Sequence, residues 1–120
     1  MKTIILKQPF AELVVSGVKD ILNKRLSTDF RGTVLIYATS ERIKPLDFYN
    51  IKENQRKTIQ RYCSADCHTS SIIGSVEIVD CVTDHSSVWA EKIANETYHW
   101  VLVNPVRFEK PITNISFLEF

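Results

Sequence analysis

The sequence predicts an α+β fold, a mixed β-barrel of about five to six short strands with helices flanking it on the outside. Three observations predict it. Segments of β-branched and aliphatic residues recur along the chain, the clearest being Thr33 to Thr39 (TVLIYAT) and Ser71 to Val82. Stretches with helical spacing fall between them, without the regular strand–helix alternation of a parallel sheet. Gly74 interrupts the longest strand, as a bulge or bend does where a small barrel turns a corner.

Thr3 to Leu6 reads as the first strand, and Gln8-Pro9 ends it. Pro9 suits the first turn of a helix, where its missing N–H costs nothing. Phe10, Leu13 and Val14 have helical spacing over 9–16, and Gly17 is placed to stop that helix in a left-handed conformation. Lys19 to Leu26 alternates loosely and is expected to be a strand. A turn cluster, Ser27 to Gly32, leads into the strand Thr33 to Thr39. The segment from Pro45 or Leu46 to Tyr62 reads as a helix with a thin apolar stripe of Phe48, Ile51 and Ile59. After the long strand Ser71 to Val82, a short helix is expected from Ser86, a plausible N-cap, to Ile93. Strands at Tyr98 to Val103 and Ile115 to Phe120 complete the set.

The length, 120 residues, fits one ordinary domain that can bury a core without staples. With 15 Lys and Arg against 14 Asp and Glu, bulk charge does not attract a polyanion. Any nucleic-acid contact must come from local clusters of cations. No apolar run reaches membrane-spanning length. The N-terminal Ile4-Ile5-Leu6 returns to Lys7-Gln8-Pro9 too soon for a signal peptide, and three cysteines do not suit a disulfide scaffold. A reducing cytoplasm is the expected compartment.

Several segments together resemble the ASCH family of PUA-like barrels. Leu6-Lys7-Gln8-Pro9-Phe10, an apolar helix, and Gly17-Val18-Lys19 followed by a strand are similar to the start of such a domain. Phe30-Arg31-Gly32 and the strand after it, the long strand over 73–81, and the late aromatics Trp89 and Tyr98-His99-Trp100 continue the resemblance. It spans nearly the whole chain apart from the helix around residues 46 to 70. It implies one PUA-like domain over 1–120 with a ligand cleft between barrel and helices. It also implies RNA or DNA binding and, in some members, hydrolysis of an acetylated cytidine nucleoside or ribonuclease activity. In the amidohydrolase members a lysine, a threonine and a distant glutamate act together. Lys19 matches that lysine, Leu22 stands where a polar residue is usual, and Glu91 is the nearest candidate acid. Lys24 or Arg25 takes the place of the family's arginine.

The candidate ligand-binding residues are therefore Gln8, Lys19, Lys24, Arg25, Trp89 and His99, with Lys19 also the candidate catalytic residue. On a regular strand Lys19 and Arg25 share a face, and Lys24 lies on the other. Lysine and arginine neutralise phosphate, and arginine can do so with two hydrogen bonds. The competing reading is a solvated strand face. A catalytic lysine must lose its proton, which requires burial or a neighbouring cation. Trp89, in a polar context, is a stacking candidate, whereas Phe10 and Trp100 read as core. His99 alternates with Tyr98 and Trp100 and is a candidate ligand donor. Lys52 with Arg56, and Lys57 with Arg61, make a basic stripe whose alternative is a charged solvent face.

Cys63-x-x-x-Cys67-His68 and Cys81-x-x-x-His85 carry ligand types suited to zinc, but the spacing is not a knuckle and Cys81 falls in an apolar strand. There is no phosphate loop, dinucleotide fingerprint or nucleophile elbow. No metal and no cofactor are expected. The expected partner is RNA or single-stranded nucleic acid, or else a nucleoside-like small molecule. The alternative function is a small hydrolase of a modified nucleoside, or a ribonuclease, using Lys19. A third is protein interaction through the exposed helix.

Overall fold

A computed structural model describes residues 1–42, 51–62 and 67–113, together with the backbone of 118–119. Its elements in chain order are β1 (Lys2–Gln8), α1 (Phe10–Val15), β2 (Ile21–Lys24), β3 (Gly32–Arg42), α2 (Glu53–Tyr62), β4 (Ser71–Val82), β5 (Tyr98–Ile112) and β6 (Leu118–Glu119). The strands form one six-stranded sheet in the order β2-β5-β4-β3-β1-β6, curled into a half-barrel. β1 runs parallel to β3 and β6; the other pairings are antiparallel. This is the mixed α+β architecture that the sequence predicts.

In β3, Val34, Ile36 and Ala38 are buried at every second position, as the strand's alternation requires. β4 is buried continuously over its first six residues, because α1 covers its other face. At Gly74, α1 and a neighbouring strand approach the backbone of β4 closely. A Cβ there would lie 2.2 Å from the Val106 carbonyl oxygen and 2.7 Å from Val15 Cγ1. The pairing slips beside it on both sides, between Ile36 and Tyr37 of β3 and between Ile72 and Gly74 against β5. The bend expected at this glycine is therefore present.

Two buried clusters result. One fills the curl of the sheet beneath α1 and includes Ile4, Val14, Ile36, Val76, Ile78 and Trp100. The other joins Leu13 of α1, Ile21 of β2, Ile59 of α2 and Trp89.

Several boundaries differ from expectation. The strand predicted over Lys19 to Leu26 is only Ile21–Lys24, since the end of α1 still holds Lys19: its N–H donates to the Leu13 carbonyl at 2.9 Å. The strand predicted to end at Val103 continues to Ile112 through Pro105 and Pro111. Beyond Val101, β5 pairs with β4 alone among the described residues, and a proline fits an edge that donates no hydrogen bond. The helix predicted from Ser86 to Ile93 is replaced by turns and irregular chain. Side chains take the N–H groups a helix would need: Ser87 N–H donates to His85 Nδ1, and Trp89 N–H to Ser87 Oγ. The helix predicted from residue 45 or 46 is helical over Glu53–Tyr62; Ile51 and Lys52 are not, and 43–50 lie outside the described residues. Of the last predicted strand, Leu118–Glu119 is observed, and 114–117 and 120 lie outside the described residues.

Candidate nucleotide-binding cleft

The C-terminus of α1 sets the position of Lys19. Gly17 takes φ +79, the left-handed conformation that favours glycine, and the Val18 and Lys19 amides both turn back to the Leu13 carbonyl. Lys19 is thereby directed inward and is only 9% exposed. Its Nζ donates to the Ile21 carbonyl at 2.6 Å and lies 5.6 Å from the centre of the Trp89 ring. Burial pushes the amine down from the ordinary 10.5 to about 8, against the pull of the Glu91 and Asp20 carboxylates.

The opposite wall is the irregular segment around Trp89, held from several sides. Asn23 of β2 brackets it: Nδ2 donates to the Trp89 carbonyl at 3.0 Å, and Oδ1 accepts from the Glu91 N–H at 2.9 Å. Ser87 donates its hydroxyl to Asp20 at 2.5 Å. Gln55 of α2 donates from Nε2 to the Val88 carbonyl at 2.7 Å. His99 Nδ1 accepts from the His85 N–H, so Nε2 carries the ring proton and donates to the Glu91 carbonyl at 3.2 Å.

Between these parts lies a cleft of about 550 Å³, the size that holds a small ligand. Phe10, Leu22 and Trp89 contribute apolar surface; Asn23, Gln55 and Glu91 are polar; Lys7, Lys19 and Lys24 bring three cations against the single carboxylate. The combination suits a flat, partly apolar ligand that also carries negative charge.

No protein-family model and no curated protein matches the sequence. Solved structures do match. An ASCH protein of Zymomonas mobilis carrying a tyrosine-to-phenylalanine substitution superposes with a TM-score of 0.58 at 16% identity, over 93% of this chain and 75% of its own. ASCH from the same organism superposes with a TM-score of 0.57 at 18% identity, over 93% of this chain and 73% of its own. The chain has an ASCH-like fold.

On this ASCH-like fold, the sequence candidates divide. Lys19, Lys24 and Trp89 line the cleft together. Lys24 Nζ also lies 5.3 Å from the centre of the Trp100 ring. Trp89 is not an exposed stacking platform: it is 5% exposed and packs in the second core cluster, although it also lines the cleft. Phe10, expected in the core, is half-buried and lines the cleft.

Gln8, Arg25 and His99 do not line it. Gln8 is fully buried, donating to the His68 carbonyl and accepting from the Glu12 N–H, so its amide ties the start of α1 to the segment before β4. Arg25 lies just past β2 and is exposed; the face shared with Lys19 required a continuous strand, which does not form. His99 is buried and supports the Glu91 segment from behind.

Asn23, Gln55 and Lys7 are cleft residues that pattern reasoning missed, because each is an ordinary polar residue whose partners are remote in sequence. Among the described residues no group of three or more His, Cys, Asp and Glu side chains could hold a metal. Cys67 and Cys81 are free thiols, and Cys63 lies outside the described residues. In the expected basic stripe, Arg56 turns back to the Ile51 carbonyl, while Lys52, Lys57 and Arg61 are exposed. Among the described residues no helix is long and apolar enough to cross a membrane.

Proposed function

We propose that this protein binds single-stranded RNA, or a nucleotide unit of it, in the cleft between the half-barrel and α2. The observation that carries the reading is the composition of that cleft: Lys7, Lys19 and Lys24 beside the half-buried ring of Phe10 and the buried Trp89. The cations neutralise phosphate, and the half-buried ring of Phe10 is the aromatic surface open to a base. The ASCH-like fold, associated with nucleic-acid binding, supports the same reading.

The test is equilibrium binding of short single-stranded and duplex RNA and DNA across a salt series. With three phosphates neutralised, log K falls against log salt with a slope of roughly −2 for a single strand. Lys19→Ala and Lys24→Ala weaken binding about tenfold or more, and Arg25→Ala leaves it near the parent value. Affinity that is flat in salt, or unchanged in both lysine variants, removes this cleft as the site.

One observation favours a second reading, hydrolysis of an acylated nucleoside. A lysine with its amine near 8 is easier to deprotonate than an exposed one. Against it, Nζ is engaged by the Ile21 carbonyl, and Leu22 has no hydroxyl to offer. Release of the acyl group from an acetylated cytidine, lost in Lys19→Met, would establish that reading.

A further inference from the structure

Gln55 is a neutral polar side chain of the cleft whose amide oxygen has no hydrogen-bond partner among the described residues. It sits on the inward face of α2, one turn before the fully buried Ile59, and is only 4% exposed. Its Nε2 must be the atom facing the Val88 carbonyl, since only a donor fits there, and that contact fixes which way the amide points. Its Oε1 and its second N–H then have no hydrogen-bond partner among the described residues. Asn23 differs at its oxygen: Oδ1 accepts from the Glu91 N–H, while one N–H of Nδ2 donates to the Trp89 carbonyl. The Gln55 amide oxygen is not sealed from solvent, so water completes it in the free protein and a ligand in the cleft can replace that water.

We propose that Gln55 reads the base of the bound nucleotide. This rests on the reading of the cleft as a nucleotide site and names which part of the ligand goes where. A phosphate has acceptors only, so it is repelled by Gln55 Oε1 and by the Glu91 carboxylate and is drawn to the lysines. A nucleobase edge presents a donor beside an acceptor, which is the complement of a free amide oxygen beside a free N–H. The base therefore enters the cleft with its hydrogen-bonding edge toward Gln55, and the phosphate is held by the lysines. Binding is base-selective rather than indifferent to sequence.

The probes are the four ribonucleoside 5′-monophosphates and ribose 5-phosphate, titrated at fixed salt. The parent protein binds at least one monophosphate roughly tenfold more tightly than another and than ribose 5-phosphate. In Gln55→Met the four bases converge to within about threefold, while ribose 5-phosphate binds as before. In the parent, the Gln55 side-chain NH₂ signals in a ¹⁵N spectrum shift with the preferred monophosphate and not with ribose 5-phosphate. This needs no variant and stands if Gln55→Met fails to fold. Equal weakening of all four with the selectivity retained means that Gln55 only props Val88, and overturns the inference. So does a parent protein that binds all four alike, although the nucleotide reading then survives. Failure of the parent to bind any of the five overturns both.

Discussion

Lys19 carries an amine into a site where solvent barely reaches it, with one carbonyl, one aromatic ring and two nearby carboxylates to compensate. The compensation is incomplete, and the charged form is disfavoured by about 3 kcal/mol relative to an exposed lysine. Between pH about 8 and 10.5 the unfolded chain still holds a proton on this amine that the folded chain has shed. Stability contributed by this group therefore rises with pH across that window and is lowest at neutral pH and below. Lys19→Met, which removes the titration, unfolds at a higher temperature than the parent at pH 7, and the difference shrinks as pH passes from 8 to 10.5. Paired thermal melts over that range test it; a constant difference would mean the amine is solvated.

At the scale of elements, β4 and the segment after it show how tertiary contacts override local pattern. Gly74 is legible as an irregularity in the sequence, but its purpose is visible only from Val106 and Val15, which leave no room for a Cβ. Gly74→Ala is expected to cost about 1–3 kcal/mol, read as a lower urea midpoint with an unchanged slope. The 85–93 segment has helical composition, yet His85, Ser87, Asn23, His99 and Gln55 together satisfy its backbone from the side. That lateral bonding holds Trp89 and Glu91 in place without a helix. Signals for it exist in the sequence only as isolated Ser, His and Asn residues, whose partners lie up to 68 positions away.

Across the whole molecule, the two buried clusters separate stability from binding. Ile78 belongs to the cluster inside the curl, and Ile59 to the one that joins α1, β2, α2 and Trp89 behind the cleft. Both are fully buried, so Ile78→Ala and Ile59→Ala each cost about 2–5 kcal/mol. Their effects on ligand affinity are expected to differ. Ile59→Ala loosens the wall carrying Gln55 and Trp89 and weakens binding by the folded protein, whereas Ile78→Ala leaves it unchanged. Denaturant titration beside oligonucleotide binding distinguishes the two; equal effects on affinity would mean that the cleft is not built on the second cluster.

Hydrophobic periodicity, turn residues and the Gln-Pro and Gly-x-Lys segments were enough to indicate the mixed sheet, α1 with its glycine stop and the long irregular β4. These are local properties: a strand's alternation or a left-handed glycine is specified within a few residues of itself. The cleft is not local. Lys19 from the end of α1, Asn23 from β2, Gln55 from α2 and Trp89 from an irregular segment meet only because the sheet curls and α2 packs beside α1. The same folding withdrew Gln8 and His99 into structural hydrogen bonds and left Arg25 outside. A polar residue looks alike in sequence whether its groups are consumed by backbone or left for a ligand; the difference arises only when distant chain segments are packed against it.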